Sequence, residues 1–170
     1  MDLTPYIRTV TDFPRPGVVF RDITPLLADA IAFDAAIKDM EEAAATRRPQ
    51  AIVGIESRGF IFGAPLANRM GLPFVLVRKP GKLPAARMTV EYSLEYGEDQ
   101  LDIHSDALQT GARAYIVDDL LATGGTARAT AKLVELVGAV VAGFGVLIEL
   151  DALGGRATLG GYAINSVMHF

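Results

Sequence analysis

Apolar residues along this chain fall into short unbroken runs separated by longer segments of helical period. Residues 51–55 (AIVGI), 74–77 (FVLV), 114–117 (AYIV) and 140–148 (VVAGFGVLI) are continuous apolar stretches of strand length. Between them, 59–70 (GFIFGAPLANRM) and 126–137 (TARATAKLVELV) predict helices, the second carrying Ala129, Leu133, Leu136 and Val137 on one face. Nearer the start, 29–45 (DAIAFDAAIKDMEEAAA) predicts an amphipathic helix with Asp29 as its cap. Strands that are apolar throughout are covered on both faces. The pattern therefore predicts an α/β fold, a central and mostly parallel sheet flanked by helices. Ligands of such sheets bind beyond the carboxyl ends of the strands, where strand-to-helix turns gather. The turns after residues 55 and 117 are chemically unusual.

One segment breaks the alternation. Residues 78–98 (RKPGKLPAARMTVEYSLEYGE) are rich in charge, Pro and Gly, and their apolar spacing fits neither period well. A loop this long in a single domain reads as a lid or binding loop, although the alternation in VEYSLEYG also suits an edge hairpin. Internal repeats and low-complexity segments are absent.

Composition narrows the chemistry. The 170 residues suit one domain with a substantial core, and 51% hydrophobic with 21% charged residues describes a globular chain. A net charge of −4 argues against a general nucleic-acid surface. The absence of cysteine excludes disulfides, thiol nucleophiles and Cys-ligated zinc, and His104 and His169 lack metal-ligand spacing. Neither a basic-then-apolar leader nor an apolar run of about 18 residues occurs, so a soluble, cytoplasmic protein with no membrane or nucleic-acid partner is expected.

The chemistry concentrates in AYIVDDLLATGGTARATA, residues 114–131. Gly124 and Gly125 allow a tight turn whose backbone N–H groups converge on an anion at the start of the next helix, and Thr123 and Thr126 add hydroxyls. The Gly-Lys-Thr ending of nucleoside triphosphatases is missing, so a phosphate monoester suits the turn better than a triphosphate. Asp118 and Asp119 accept hydrogen bonds from vicinal hydroxyls or hold Mg²⁺ directly or through water. A phosphate cradle beside a diol acceptor describes a ribose 5-phosphate site. The alternative is an Asp that merely caps a turn. Glycosidase chemistry does not fit, because adjacent carboxylates after one strand cannot flank a sugar from opposite sides.

VDDLLATGGT (117–126) resembles the phosphoribosyl pyrophosphate motif of the type I phosphoribosyltransferases, in the form found in the family's adenine-accepting branch. FPRPGVVFRDITPLL (13–27), GIESRGFIFGAPLA (54–67), RKPGKLP (78–84) and YSLEYG (92–97) match that pattern in order. The resemblance implies one domain over 1–170, with an N-terminal hood from residues 1–30 and a flexible catalytic loop at about 78–98. It implies that Asp118 and Asp119 meet the ribose hydroxyls and that Ala122, Thr123, Gly124, Gly125 and Thr126 hold the 5-phosphate. The IESRG turn, with Glu56, Ser57 and Arg58, would bind pyrophosphate, with an unusual peptide near Glu56 and Ser57. The alternative for Arg58 is a surface pair with Glu56. Arg78, Lys79 and Lys82, two of the chain's four lysines among them, would add charge for the same group beside Arg87, and a base from this region could act across a dimer interface.

Glu95 and Tyr96 would close over the site at the tip of the loop, Glu95 meeting the base at N7 and assisting proton transfer, with Arg58 as the third catalytic residue. In the hood, backbone atoms at Val19 and Arg21 would read the amino edge of adenine while Val18 and Leu150 sandwich the ring. From the letters alone, core packing suits Val18, Val19 and Leu150 better. The activity implied is transfer of 5-phosphoribosyl from phosphoribosyl pyrophosphate to N9 of adenine, giving AMP and pyrophosphate in purine salvage. Mg²⁺ would be held mainly through pyrophosphate, ribose hydroxyls and water, and the enzyme would be a homodimer. Two rivals share the motif: a related specificity for hypoxanthine or guanine, and a non-catalytic ligand-sensing regulator.

Overall fold

The computed structural model describes residues 1–94 and 97–170. Each apolar run becomes a strand because its residues have somewhere to go on both sides. In β3 (Ala51–Ile55) every residue is buried. Ile52 enters one core with Phe62, Leu66, Tyr115 and Leu147. Ala51, Val53 and Ile55 enter the opposite core with Ile116, Leu133, Phe144 and Val146. The first core is closed by α2 (Ala30–Ala45) and α3 (Arg58–Met70), and the second by α4 (Gly125–Leu136). A buried Leu or Ile in either layer is worth about 2–5 kcal/mol against alanine.

Among the described residues, β3, β4 (Phe74–Val77), β7 (Arg113–Leu121), β8 (Val140–Glu149) and β9 (Ile164–His169) form one sheet in the order β4-β3-β7-β8-β9, with every pairing parallel. The predicted parallel sheet with flanking helices is what the chain builds. The order matters more than the count. From β3 the chain crosses through α3 outward to β4, whereas from β7 it crosses through α4 in the other direction to β8. The carboxyl ends of the adjacent strands β3 and β7 therefore flank the point where the winding reverses, the place where open α/β sheets bind ligands.

Local signals explain the helix ends. Asp29 accepts hydrogen bonds from the N–H groups of Ile31 and Ala32 at 3.0 and 2.9 Å, so it caps α2 as its position suggests. Gly71 ends α3 in the left-handed conformation. On α4, Ala129 and Leu133 are buried as expected, but Leu136 is 50% exposed and the buried face is completed by Ala127, Thr130, Ala131 and Val134. Leu136 is the last residue of the helix, and Gly138 at φ +86° turns the chain into β8 before another turn could bring Leu136 inward.

Two segments differ from the sequence pattern. Residues 78–98 are not loop throughout: β5 (Arg87–Leu94) pairs antiparallel with β6 (Gly97–His104), and Val90, Leu101 and Ile103 from this hairpin join the α4-side core. Charged residues on its exposed face obscure the alternation. The strand β9 carries polar residues at Asn165 and Ser166 and buries only Met168 fully into the core, so it lacks the continuous apolar signature of its neighbours. At the N-terminus β1 (Arg8–Thr11) and β2 (Val19–Asp22) form a separate antiparallel pair, followed by the short α1 (Thr24–Ala28), whose Leu26 is fully buried against α2.

Candidate functional site

At the winding reversal lies a cavity of about 510 Å³. Its wall combines both unusual turns: Glu56, Ser57 and Arg58 from the end of β3, and the run from Asp118 to Ala127 from the end of β7, with Lys79 entering from the segment after β4. The chain separates these turns by about sixty residues, and the parallel pairing of β3 with β7 closes that gap.

Strand β7 runs on to Leu121, so the two aspartates are part of the strand's carboxyl end and do not sit in the turn itself. Asp119 is buried and receives Arg58 Nε at 2.7 Å. Asp118 Oδ1 accepts the N–H of Asp119 at 2.9 Å. The sequence treats both carboxylates as ionised. The structure changes that picture, because burial first, and then the charge of Asp119, push Asp118 well above the ordinary aspartate range. Burial raises Asp119 as well, opposed by the Arg58 guanidinium. The ligand-free pair is thus poised to gain from hydroxyl donors or a cation, either of which favours the ionised form.

Beyond Leu121 the backbone enters the cradle. Gly124 takes φ +85°, in the left-handed region that glycine tolerates, and serves as N-cap of α4 without a side-chain cap. The first N–H groups of that twelve-residue helix therefore face the cavity without an internal acceptor, at the positive end of the helix dipole. Thr126 hydrogen-bonds through Oγ1 to the Tyr92 hydroxyl at 3.4 Å, tying the cradle to the β5–β6 hairpin.

The other turn is arranged differently from the expectation. Glu56 pairs with Arg78, whose Nε and Nη2 lie 3.2 and 3.0 Å from its carboxylate, and it also accepts the N–H of Lys79 at 2.7 Å. The Arg78 hydrogen bonds, against a burial effect, hold Glu56 below the usual carboxylate range. Glu56 thus orients the basic segment, and Arg58 pairs with Asp119 in place of Glu56. The Glu56–Ser57 peptide bond is cis.

Lys79 lies against Asp99 and the ring of Tyr92, 5.9 Å from its centroid. Burial lowers its pKa, but the Asp99 and Tyr92 contacts outweigh this and leave it raised. Arg78 and Lys82 do not line the cavity; Arg78 Nη1 reaches the Lys82 carbonyl at 3.3 Å. Arg87 pairs with the buried Asp102 at 3.2 Å.

The N-terminal segment approaches the site at Arg58, whose guanidinium lies 5.7 Å from the Phe20 ring centroid. Val19 is 48% exposed and Val18 half-buried, so neither is the core residue that its apolar character alone suggests. Arg21 donates to Thr9 Oγ1 at 2.6 Å and stacks over Phe170 at 4.1 Å, so its side chain is engaged within the protein. Leu150 follows β8, and its N–H donates to the Leu121 carbonyl at 2.9 Å. Val18, Val19, Arg21 and Leu150 do not line the cavity itself. Glu95 and Tyr96 lie outside the described residues.

Sequence reading passes over Gly59, Tyr92 and Asp99. A Cβ at Gly59 would lie 2.7 Å from the Val117 carbonyl and 3.0 Å from Asp118 Oδ1, so only glycine lets α3 approach the aspartates. Its place in ESRG is the signal that was available. Tyr92 opens the YSLEYG match, which gives it no role of its own, and Asp99 has no local signal; both reach the site through hairpin pairing.

Among the described residues Glu149, Asp151 and His169 approach one another closely enough to share a cation. Both Glu149 oxygens, however, are already held by Arg156. Oxygen donors suited to magnesium at the cavity are those of Asp118 and Asp119. No helix among the described residues is long and apolar enough to cross a membrane.

Comparison with known proteins places these features in a family. The phosphoribosyl transferase domain model matches residues 22–158. Adenine phosphoribosyltransferase from Desulfitobacterium hafniense (strain Y51) is 52% identical over 170 residues, covering 100% of this chain and 98% of that one. The crystal structure of adenine phosphoribosyltransferase from Thermoanaerobacter pseudethanolicus superposes with a TM-score of 0.96 at 52% identity, over 99% of this chain and 98% of that one. The Saccharomyces cerevisiae enzyme, solved with an imino-altritol bisphosphate and adenine, gives a TM-score of 0.91 at 37% identity, covering 97% and 96% of the two chains.

Proposed function

Since this chain belongs to the phosphoribosyl transferase family, we propose that it is an adenine phosphoribosyltransferase of purine salvage, a pentosyltransferase moving 5-phosphoribosyl from phosphoribosyl pyrophosphate to N9 of adenine. AMP and pyrophosphate are the products. The observation that carries the reading is the single cavity in which a phosphate cradle, a carboxylate pair and a guanidinium converge at the winding reversal.

The ligand's three parts match three chemistries. Ala122 to Thr126, at the start of α4, take the 5-phosphate through backbone N–H groups and threonine hydroxyls. Asp118 and Asp119 accept the two ribose hydroxyls, which draws protons off carboxyls that burial had raised. Ser57, Arg58 and Lys79 neutralise pyrophosphate, so both Arg58 and Lys79 exchange an internal carboxylate for the donor. Val18 and Leu150 enclose adenine, and backbone atoms at Val19 and Arg21 read its amino edge. Glu95 and Tyr96 cover the base, with Glu95 at N7.

Bond breaking at C1′ runs ahead of attack by N9, so the transition state resembles an oxocarbenium ion. The protein's task is then alignment and charge stabilisation. Magnesium, which this family generally uses with its donor, supplies charge neutralisation of the departing pyrophosphate when bound. Asp118 and Asp119 would hold it through water and the ribose hydroxyls. The hairpin segment at 78–98 excludes water from the activated ribose.

One domain with a hood from residues 1–30, a homodimer and a cytoplasmic location belong to the same reading. They are supported by the motif order and by charged substrates that do not cross membranes. A spectrophotometric assay of purine bases with phosphoribosyl pyrophosphate and Mg²⁺ tests the assignment. AMP from adenine is expected; consumption of another base with none from adenine overturns it. Light scattering on the eluting protein reads the dimer.

A further inference from the structure

The cradle has a back wall made of backbone. A Cβ at Gly155 would lie 2.2 Å from the Ala122 carbonyl and 3.0 Å from the Leu121 side chain. From the other side, a Cβ at Gly124 would lie 2.7 Å from the Gly155 carbonyl and 2.9 Å from Thr158 Cβ. The loop that would take the 5-phosphate and the short turn Gly155–Thr158 thus pack directly together, with glycine on each side at the points of closest approach. Four residues cannot hold a helical turn by their own hydrogen bonds. Something outside the turn must fix it.

Arg156 ties it to such an anchor, Glu149 of β8. Its Nε and Nη2 lie 3.0 and 2.6 Å from the two oxygens of Glu149, and Nη1 reaches the Ile164 carbonyl at 3.2 Å. Glu149 is only 4% exposed, ends β8 beside Leu121 of β7 and also accepts from the Ser166 hydroxyl. The guanidinium thus fastens the back wall to β8, the neighbour of the strand that carries Asp118 and Asp119, and to β9 beyond it. A bidentate fork fixes direction as well as distance, which a lysine ammonium does not.

We propose that Arg156, seated on Glu149, is a positioning residue for the 5-phosphate cradle. It sets affinity for the phosphate end of the donor without touching the donor. The inference rests on the phosphoribosyl reading of the cavity. It assigns Glu149 to holding the wall, and it predicts a selective defect. The cradle loosens while the pyrophosphate turn on β3 and α3 and the base-reading backbone of β2 keep their geometry.

The test compares wild type with Arg156→Met, Arg156→Lys and the isosteric Glu149→Gln. The readouts are calorimetric binding of ribose 5-phosphate, KM for each substrate, kcat and thermal midpoint. Arg156→Met is expected to weaken ribose 5-phosphate and raise the donor KM by about tenfold, the scale on which a lost supporting contact loosens a ligand site. KM for adenine and kcat should stay within about twofold. Arg156→Lys should fall between, because it keeps the charge and loses the fork. Should Arg156→Met fail to fold, Glu149→Gln carries the test, with a several-fold loss in the same direction. A lowered thermal midpoint with unchanged ribose 5-phosphate affinity overturns the inference, as does a parallel fall in every kinetic constant. Failure of the wild-type protein to bind ribose 5-phosphate overturns the phosphate reading and the inference with it, whereas normal wild-type binding with unaltered variants overturns the inference alone.

Discussion

Replacing Gly59 by alanine sets two effects of known size against each other. Gly59 is the second residue of α3, and a methyl group there gains helix propensity and loses unfolded-state entropy, together worth up to about 1 kcal/mol. Against this, the new Cβ meets the Val117 carbonyl at 2.7 Å, Asp118 Oδ1 at 3.0 Å and Asp118 Cα at 3.2 Å. Cβ contacts under 3.0 Å essentially do not occur, and the atoms met are strand backbone and a hydrogen-bonded carboxylate. Overpacking of this kind costs about 1–3 kcal/mol. The clash wins or draws, giving a net destabilisation of about 0–2 kcal/mol and a fall in Tm of at most about 8 °C for a chain of this size. Relief of the contact moves the start of α3, with Ser57 and Arg58, by a few tenths of an ångström away from Asp118. On the scale where 1 Å of misplacement costs about a hundredfold, that raises the donor KM about three- to tenfold. Differential scanning fluorimetry and initial-rate kinetics read the two numbers. A protein with raised Tm and unaltered donor KM would show that α3 and β7 have room between them, and would refute the close-approach account of this glycine.

Asp118→Asn should weaken donor binding at pH 8 about tenfold or more, as befits loss of a hydrogen bond to a charged acceptor; an unchanged dissociation constant by calorimetry removes Asp118 from the ribose. The same variant should be more heat-stable than wild type at pH 8. The reason is that a carboxyl raised in the folded state favours folding fully only below its ordinary value of 3.8 and loses that contribution as pH rises through the raised value. The advantage should therefore shrink toward pH 4, and a constant difference across pH would refute the assignment of the shift. For the same reason wild-type donor affinity should decline on acidification at a higher pH than an ordinary carboxylate requires. Glu95→Ala should lower turnover about 10²- to 10⁴-fold with donor affinity intact; near-normal turnover would end its catalytic role. Asp99→Asn frees Lys79 from its internal counter-ion and should tighten donor binding about two- to fivefold, within the range of a partly exposed ion pair. Weaker binding would instead mean that Asp99 aims Lys79 at the donor.

Much of this molecule is legible locally. The apolar runs specify strands β3, β4, β7 and β8. Asp29 specifies the start of α2, and Thr-Gly-Gly-Thr specifies a cradle at the start of α4, because caps, turns and period depend on residues within about four positions of one another. The same locality explains where the reading stops. Which carboxylate Arg58 meets depends on β3 lying beside β7, and the answer is Asp119, although Glu56 is two residues away. The fate of Leu136 depends on where α4 ends against β8, and the hairpin after residue 86 depends on cross-strand partners such as Val90 and Leu101. The raised Asp118 carboxyl is a product of burial that no neighbouring letter announces. Gly155 shows the division most plainly. In sequence it is one of several glycines near a turn, and only the approach of the Ala122 carbonyl, 2.2 Å from where a Cβ would stand, puts it directly behind the turn at residues 122–126. The sequence by itself determined the locally coded elements, β3, β4, β7, β8 and the helices among them, and the chemistry their ends carry. Sheet order and close packing, which join residues dozens of positions apart, decided which of those ends face one another.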